Sequence, residues 1–514
     1  MREQGEMMEK KLNSPGLFSA IALSVGTMMG SGWLFASYYA SKAAGGASIF
    51  SWIIGAVAVL IMALLLAEIA IKYPVNGLFT RLISISHNQH FGFVTGISNW
   101  LLGLIVIPSE AMATTQYIAS IYTPLTPHIF HDGALTAIGV LIVGIFMLLY
   151  TLINYWGIQF FAKINNSITL LKIIIPIATA VTILIAAFHS GNFTAEKHAF
   201  APFGAGSVFS AIVSCGIFYS FFGFQVAASF TAELKNPKRN VPIALVSSVI
   251  IVLVIYLLLQ IAFIGALPPH MLDGGWQGLN FESPLAQLSG LLGLNVLAVI
   301  LYADALVSPS GTGLIYMGAS TRMLNEMAKH KQMPKVFAKT NPKIAMSRAS
   351  LIFTFICSLV LIIFFRNWQL IASLTTTFIL ISCVALPIAY CKLKANKNEP
   401  LPLSYLPCSQ LFAFVIYLFL TYLLMISGIT NLAIALVLHI AFFVLYIIMH
   451  RKNEQKDSLG LMLSASWGIF LYLAFELIAA IILKNTGSSV LFYSLFFIVS
   501  ALFYVVLVKQ KRIS

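Results

Sequence analysis

Two short stretches combine glycine, serine and aromatic residues inside otherwise apolar runs. The first is SVGTMMGSGW at residues 24–33, and the second is CGIFYSFFGFQ at residues 215–225. Glycine is a poor residue for a helix interior because it gains too much freedom when the chain unfolds. Both stretches therefore predict a helix that breaks midway.

A helix that breaks inside a membrane leaves backbone groups that must line a wet cavity or find other partners. The free N–H groups at the start of a half-helix can hold a carboxylate, and the free carbonyls at a half-helix end can hold an ammonium or a cation. An α-amino acid carries both groups. The alternative for the first stretch is helix packing, because Gly26 and Gly30 form a small-xxx-small pair.

Three ionisable residues, Lys172, Glu110 and Asp304, lie deep in apolar runs. A charge near the bilayer centre is costly, so these residues are functional candidates. A lysine ammonium that is removed from water gives up its proton more readily, and we predict proton exchange at Lys172. The alternatives are that Lys172 snorkels to the cytoplasmic face, and that the two acids only make hydrogen bonds between helices.

Other polar groups in the apolar runs favour structural roles. Glu476 lies outside the part of the chain that contains the two breaks, and Glu68 and Glu233 lie near span ends where lysine and arginine are available. The run 375–377 is three threonines, which would line the cavity or bond back to their own helix.

The composition indicates a helical membrane protein. Of 514 residues, 59% are apolar and 9% are charged, against about 25% charged in soluble domains. A soluble enzyme, a disordered chain and a secreted disulfide scaffold are thereby excluded. The charged residues lie between apolar blocks, so the net charge of +14 indicates contact with anionic lipid and not with nucleic acid. We find no Walker, HExxH or nucleophile-elbow motif, and we predict no enzyme activity, metal or cofactor.

The apolar runs predict fourteen membrane spans of about 20 residues each. Their approximate limits are 16–40, 47–71, 92–121, 134–153, 164–188, 207–231, 242–266, 290–320, 347–365, 369–391, 409–427, 430–449, 460–483 and 488–508.

The distribution of lysine and arginine predicts the orientation of these spans. Twenty-six of the 30 basic residues fall on one side, and four, Lys42, Lys197, Arg366 and Lys484, fall on the other. The positive side is cytoplasmic. We therefore predict a multi-pass protein of the cell (inner) membrane with both termini in the cytoplasm.

The two broken spans each begin a block of five spans, so the second block would have the opposite orientation. We predict a cytoplasmic tail at 1–15, a first five-helix repeat at 16–190 and a second, inverted repeat at 206–395. Additional transmembrane helices at 400–508 and a basic cytoplasmic tail at 509–514 complete the chain. The predicted fold class is an all-α polytopic membrane protein with an inverted 5+5 repeat, broken helices 1 and 6, and about four extra helices.

Several motifs resemble those of the amino acid–polyamine–organocation (APC) permeases. Residues 26–32, GTMMGSG, are similar to the glycine motif of the family's first helix, and residues 67–77 resemble the end of its second helix. The sequence FGF at 222–224, followed by ELKNPKRNVP at 233–242, resembles the sixth-helix signature. PSE at 108–110 and residues 303–313 look most like bacterial aspartate:proton symporters.

The resemblance implies a substrate site between spans one, three, six, eight and ten. In that site Ser31 and Gly32, next to Gly30, would hold the substrate carboxylate. Carbonyls near Met28, Tyr219 and Phe222 would hold the amino group, and Tyr219 stands where the family often has a gating aromatic. The site residues implied on both breaks are Met28, Gly30, Ser31, Gly32, Tyr219, Phe222, Gly223 and Gln225.

The resemblance also implies how a proton would be used. Relatives have a lysine at the position of Lys172 that acts in place of a sodium ion. Its ammonium would face the carbonyls near Gly26 and the hydroxyls of Ser308 and Ser310. Many relatives have glutamate where this chain has Gln225, so a proton-sensing role is not expected at that position.

We therefore expect a proton-coupled amino acid symporter that works by alternating access, with protons and an amino acid as its small partners. The resemblance favours an acidic amino acid such as aspartate or glutamate. Lys172 is the only deep cation and no arginine is available to clamp a second carboxylate, so a neutral amino acid permease or an exchanger is the alternative. A sensor that has lost transport is an alternative of another class.

Overall fold

The chain is described by a computed structural model over residues 16–75, 77–121, 123–131, 133–156, 159–194, 200–229, 231, 234–341, 346–396, 401, 404–452 and 459–510. These residues are almost entirely helical, because long apolar runs in a membrane can satisfy their backbone groups only within a helix or a closed barrel.

The helices before the second break include both short and long segments. Their bounds are α1 Leu17–Met28, α2 Gly32–Ala44, α3 Ser48–Lys72, α4 Leu78–Ser86, α5 Gln89–Ile121, α6 Thr126–Ile129, α7 Ala137–Trp156, α8 Gln159–Ala186, α9 Gly191–Thr194 and α10 Gly204–Ser214. A small antiparallel hairpin of β1, Phe130–His131, and β2, Ala134–Leu135, lies between α6 and α7.

The remaining helices follow the second break. Their bounds are α11 Ile217–Phe221, α12 Val226–Ser229, α13 Pro237–Ala266, α14 Pro284–Leu291, α15 Asn295–Lys329, α16 Arg348–Phe364, α17 Trp368–Lys394, α18 Ser409–Met425, α19 Ile429–Lys452, α20 Leu459–Thr486 and α21 Val490–Lys509.

The prediction of a helical polytopic membrane protein is confirmed in its main feature, since the described residues are nearly all helical apart from the short hairpin. Within the described ranges, ten helices are long and apolar enough to cross a membrane, or eleven if the bent pair at 204–229 is one span. Three further apolar helices, α1, α16 and α18, have only 12, 17 and 17 residues. Because a span needs about 20 apolar residues, the number fourteen stays a prediction, as does the inverted repeat.

Burial separates central helices from peripheral ones. The most apolar windows of α5 and α17 are 100% and 94% buried, whereas that of α21 is 22% buried. The helix α5 packs against α15 and α17, and α18 and α20 pack on this centre from outside. The exposed side chains of the outer helices are apolar, as in Leu141 of α7 and Leu502 of α21. The helices α5 and α17 therefore form the centre of the bundle.

Both predicted interruptions are present. The first separates α1 from α2 at residues 29–31, after an N–H···O bond from Met29 to Val25 of 2.9 Å. The second interrupts its span at two points, between α10 and α11 and between α11 and α12. The chain bends by 52° between α10 and the segment that contains α11 and α12. Gly216 at φ 77° and Gly223 at φ 128° lie at the two points of the second interruption, where a side chain would strain the backbone.

Candidate functional site

A small cavity of about 10 Å³ lies where the two interrupted helices meet. This volume holds about one water molecule and is far below the about 300–1,000 Å³ typical of ligand sites, so an amino acid fits only if the surrounding side chains move. The residues that line it come from four stretches of the chain: Thr27, Met28, Gly30 and Gly32; Glu110; Tyr219, Ser220 and Phe222; and Thr312 and Tyr316.

The start of α2 is held by a carboxylate of the chain itself. The N–H of Ser31 donates to Oε2 of Glu110 over 2.8 Å, and the Ser31 hydroxyl donates to Oε1 over 3.0 Å. The hydroxyl of Tyr219 also donates to Oε1. Because the start of a helix attracts negative charge, Glu110 lies where the carboxylate of a substrate was expected.

Gly30 allows this approach. A Cβ on Gly30 would lie 2.7 Å from Oε1 of Glu110, whereas a Cβ on Gly26 would lie 2.8 Å from Oγ1 of Thr169 on α8. Gly26 therefore allows close packing between helices, which was the alternative interpretation, whereas Gly30 leaves room for the carboxylate of Glu110.

The two breaks are in direct contact. A Cβ on Gly223 would lie 3.0 Å from the backbone nitrogen of Met28. The hydroxyl of Ser24 accepts an N–H from Ala227 over 3.1 Å, and the side-chain oxygen of Gln225 accepts the N–H of Gly223 over 3.0 Å. Gln225 thus caps the unwound segment and does not line the cavity.

The carbonyls expected to hold an ammonium lie at the same cavity. Met28, Tyr219 and Phe222 all line it. The Met28 carbonyl already accepts the Gly30 N–H over 3.2 Å and the hydroxyl of Tyr256 over 3.3 Å. A ligand ammonium would replace or add to these donors.

Aromatic rings pack together beside the start of α2. The indole of Trp368 donates to the Ser31 hydroxyl over 3.0 Å, and its ring stacks on Phe35 and Tyr39 with centroids 4.9 and 5.6 Å apart. Tyr219 meets Trp368 edge-on at 6.5 Å. Tyr219 is therefore part of a larger aromatic cluster beside the start of α2, and its gating role stays a prediction.

Lys172 points into the bundle and not to a membrane face. It is 2% exposed, and its ammonium donates to the Gly26 carbonyl over 3.1 Å and to the Thr312 hydroxyl over 2.6 Å. The carbonyl partner is as expected, but the expected hydroxyls, Ser308 and Ser310, bond elsewhere.

The positions of these serines along α15 explain why Lys172 bonds to Thr312 and not to them. Ser308 donates to Asp304 one turn earlier on α15, over 2.8 Å, and Ser310 accepts the hydroxyl of Tyr150 over 3.0 Å. Thr312 is one turn beyond Ser308 and is closer to Lys172 along the same face. Asp304 is 3% exposed but does not line the cavity, and its Oδ2 has no hydrogen-bond partner among the described residues.

The other polar groups mostly follow the structural interpretation. Glu68 pairs with Lys394 over 3.2 Å, and Glu476 is fully buried in α20. The hydroxyls of residues 375–377 bond back to their own helix over 2.8, 2.8 and 3.1 Å. Glu233 lies outside the described residues.

Sequence reasoning does not identify several residues of the cavity and of the aromatic cluster beside it. Thr312 lies within the motif at 303–313, but no spacing rule separates it from Ser308. Thr27 and Ser220 lie inside the two glycine-rich stretches, where hydroxyl residues are a usable signal. Trp368 and Tyr316 belong to helices whose relation to the first break is purely tertiary.

Long buried helices around a polar cavity between two interrupted spans define a polytopic helical membrane protein of the transporter type. The sequence matches the family model of the amino acid permeases over residues 16–508, so the chain belongs to that family. The resemblance to the APC permeases is thereby confirmed, and the chain is a multi-pass membrane protein of a family of transporters.

Several characterised proteins of Bacillus subtilis (strain 168) are similar to this chain. The glutamate/serine transporter AimA is 39% identical over 387 residues, which are 75% of this chain and 72% of AimA. The aspartate-proton symporter is 30% identical over 470 residues, 91% of this chain and 89% of the symporter. The branched-chain amino acid permease BcaP is 25% identical over 338 residues, 64% of this chain and 70% of BcaP.

Proposed function

We propose that this chain is a proton-coupled amino acid symporter that works by alternating access. The observation that carries the proposal is the cavity at the meeting point of the two breaks, where the start of α2 attracts a carboxylate and carbonyls of both breaks attract an ammonium. These are the two groups that every α-amino acid shares. The substrate would contact Met28, Gly30, Ser31, Gly32, Tyr219 and Phe222, with Gly223 and Gln225 shaping the second break.

Proton coupling would use Lys172, supported by the carboxylates of Glu110 and Asp304. Lys172 joins α1 to α15 through Gly26 and Thr312, so a change in its charge alters the contact between the first broken helix and its neighbours. Ser308 would act through Asp304, and Ser310 through Tyr150. In the membrane we propose an inverted 5+5 repeat with both termini in the cytoplasm and the limits predicted above.

An acidic amino acid, aspartate or glutamate, is the substrate that the relatives' names favour. A second candidate, a small neutral amino acid, is favoured by the charge of the cavity. Glu110 is the ionisable acid among the residues that line it, and no lysine or arginine is among them. An acidic side chain would therefore need Glu110 to be neutral, or would have to lie away from it.

The test is uptake of a panel of labelled amino acids into proteoliposomes, with and without an imposed pH gradient. Symport predicts accumulation driven by the gradient with the inside alkaline. Uptake that requires an amino acid inside and ignores the gradient would instead indicate exchange.

A further inference from the structure

We propose that Glu110 is an internal stand-in for the carboxylate of the substrate. It holds the start of α2 while the site is empty and must leave when a substrate carboxylate binds there. This inference rests on the proposed function, because it assumes that the substrate is an α-amino acid.

The contacts of Glu110 are those that a free carboxylate would make. Its two oxygens take the backbone N–H of Ser31, the hydroxyl of Ser31 and the hydroxyl of Tyr219, and the side chain is fully buried. Each donor comes from a break or borders it, although Glu110 itself belongs to the unbroken helix α5.

The two carboxylates exclude each other. The Ser31 N–H is one donor and can serve one acceptor well at a time, and the cavity is smaller than an ordinary ligand site. Two carboxylates at one helix start also repel each other when both are charged. A substrate carboxylate therefore binds only as Glu110 moves away or loses its charge.

The groups around Glu110 link this exchange to protons. Among the described residues, Lys172 of α8 is the cation within electrostatic reach, and the other ionisable groups that face Glu110 are the phenols of Tyr150, Tyr219, Tyr256 and Tyr316. Asp304 faces Lys172 in turn. A proton on Glu110 removes the charge that holds it to Ser31, so substrate binding should tighten as the pH falls, and binding and protonation favour each other.

Replacement of Glu110 by glutamine distinguishes a stand-in for the substrate carboxylate from a residue that binds the substrate. Glutamine keeps the shape and one acceptor oxygen but not the charge, and charge-assisted hydrogen bonds are about twice as strong as neutral ones. We expect Glu110→Gln to bind labelled L-serine or L-glutamate about tenfold more tightly than the wild type near pH 8, with little change down to about pH 5.

The measurement is equilibrium binding to the purified full-length protein in nanodiscs. The matched control is Glu476→Gln, which changes a fully buried carboxylate outside the cavity lining and should bind as the wild type does. Weaker or unchanged binding by Glu110→Gln would overturn the inference and indicate a ligand of the ammonium or a fixed helix cap. A wild type that binds none of the panel would overturn the proposed function as well.

A second variant tests the vacated position directly. In Glu110→Ala the start of α2 loses its carboxylate, and acetate should then compete with the labelled amino acid. Acetate should have little effect on the wild type, whose site already holds a carboxylate. Equal competition in both proteins, or none in the variant, contradicts the stand-in role.

Discussion

The ammonium of Lys172 donates to the carbonyl of Gly26, 3.1 Å away, two residues before the end of the first half-helix. The same ammonium donates to Thr312 of α15. One cation therefore ties the first broken helix to α15 from α8, and its loss removes both links at once.

Replacement of Lys172 by alanine should abolish accumulation driven by a pH gradient, because it removes the group proposed to carry the proton. Uptake down a substrate gradient should remain measurable. The experiment is proteoliposome uptake, with the exposed Lys484→Ala as the matched control. Unchanged gradient-driven accumulation in Lys172→Ala would refute coupling through this residue.

Gly32→Ala should abolish binding of every substrate alike, because a Cβ there would collide with the side chain of Ser220 inside the cavity. The collision is mainly with the hydroxyl, and the Ser220 Cβ would be 3.3 Å away. The double variant Gly32→Ala with Ser220→Ala should therefore recover part of the binding. Gly290→Ala, where a Cβ meets nothing within 4 Å, should bind normally. A double variant no better than Gly32→Ala would show that the collision is not the cause.

Gly223→Ala should destabilise the fold by about 1–3 kcal/mol, because φ is 128° there and a Cβ would press on the backbone of Met28. The readout is the melting temperature of the purified protein. Gly206→Ala in α10, where a Cβ meets nothing within 4 Å, should melt at or slightly above the wild-type temperature. Equal melting of the two variants would contradict the contact between the breaks.

Two buried acids outside the cavity should respond in opposite directions. Glu476 is fully buried beside the Tyr472 hydroxyl, and neither carboxyl oxygen makes a hydrogen bond of standard geometry within the described ranges, so Glu476→Met should stabilise the protein by about 1–3 kcal/mol.

Glu68 is the comparison for this prediction. It takes the Tyr390 hydroxyl over 2.6 Å, the Tyr405 N–H over 2.9 Å and the Lys394 ammonium over 3.2 Å. Glu68→Met removes the acceptor that these three groups share and should cost about 1–3 kcal/mol. Thermal unfolding measures both variants, and a loss of stability in Glu476→Met would contradict the first prediction.

Local composition was enough to locate the two breaks and the deep ionisable groups. Gly30, Ser31 and Gly223 are poor helix formers in apolar surroundings, so their sequence alone marks where a helix stops. The family resemblance then indicated which residues would face the cavity, and Met28, Tyr219 and Phe222 line it.

Tertiary relations were beyond sequence reasoning. The contact of Glu110 with Ser31 joins residues 79 positions apart, and the choice of Thr312 over Ser308 depends on the rotation of α15. The span count is equally limited, because α16 and α18 have 17 residues each and length alone does not decide whether they cross.

Proton-coupled transport is measured most simply by uptake of labelled aspartate, glutamate and serine into proteoliposomes, with an alkaline interior and with no gradient. We expect accumulation of at least one of them above its external concentration only when the gradient is present, and loss of that accumulation when the gradient is collapsed. Identical uptake of all three with and without the gradient would contradict proton-coupled transport.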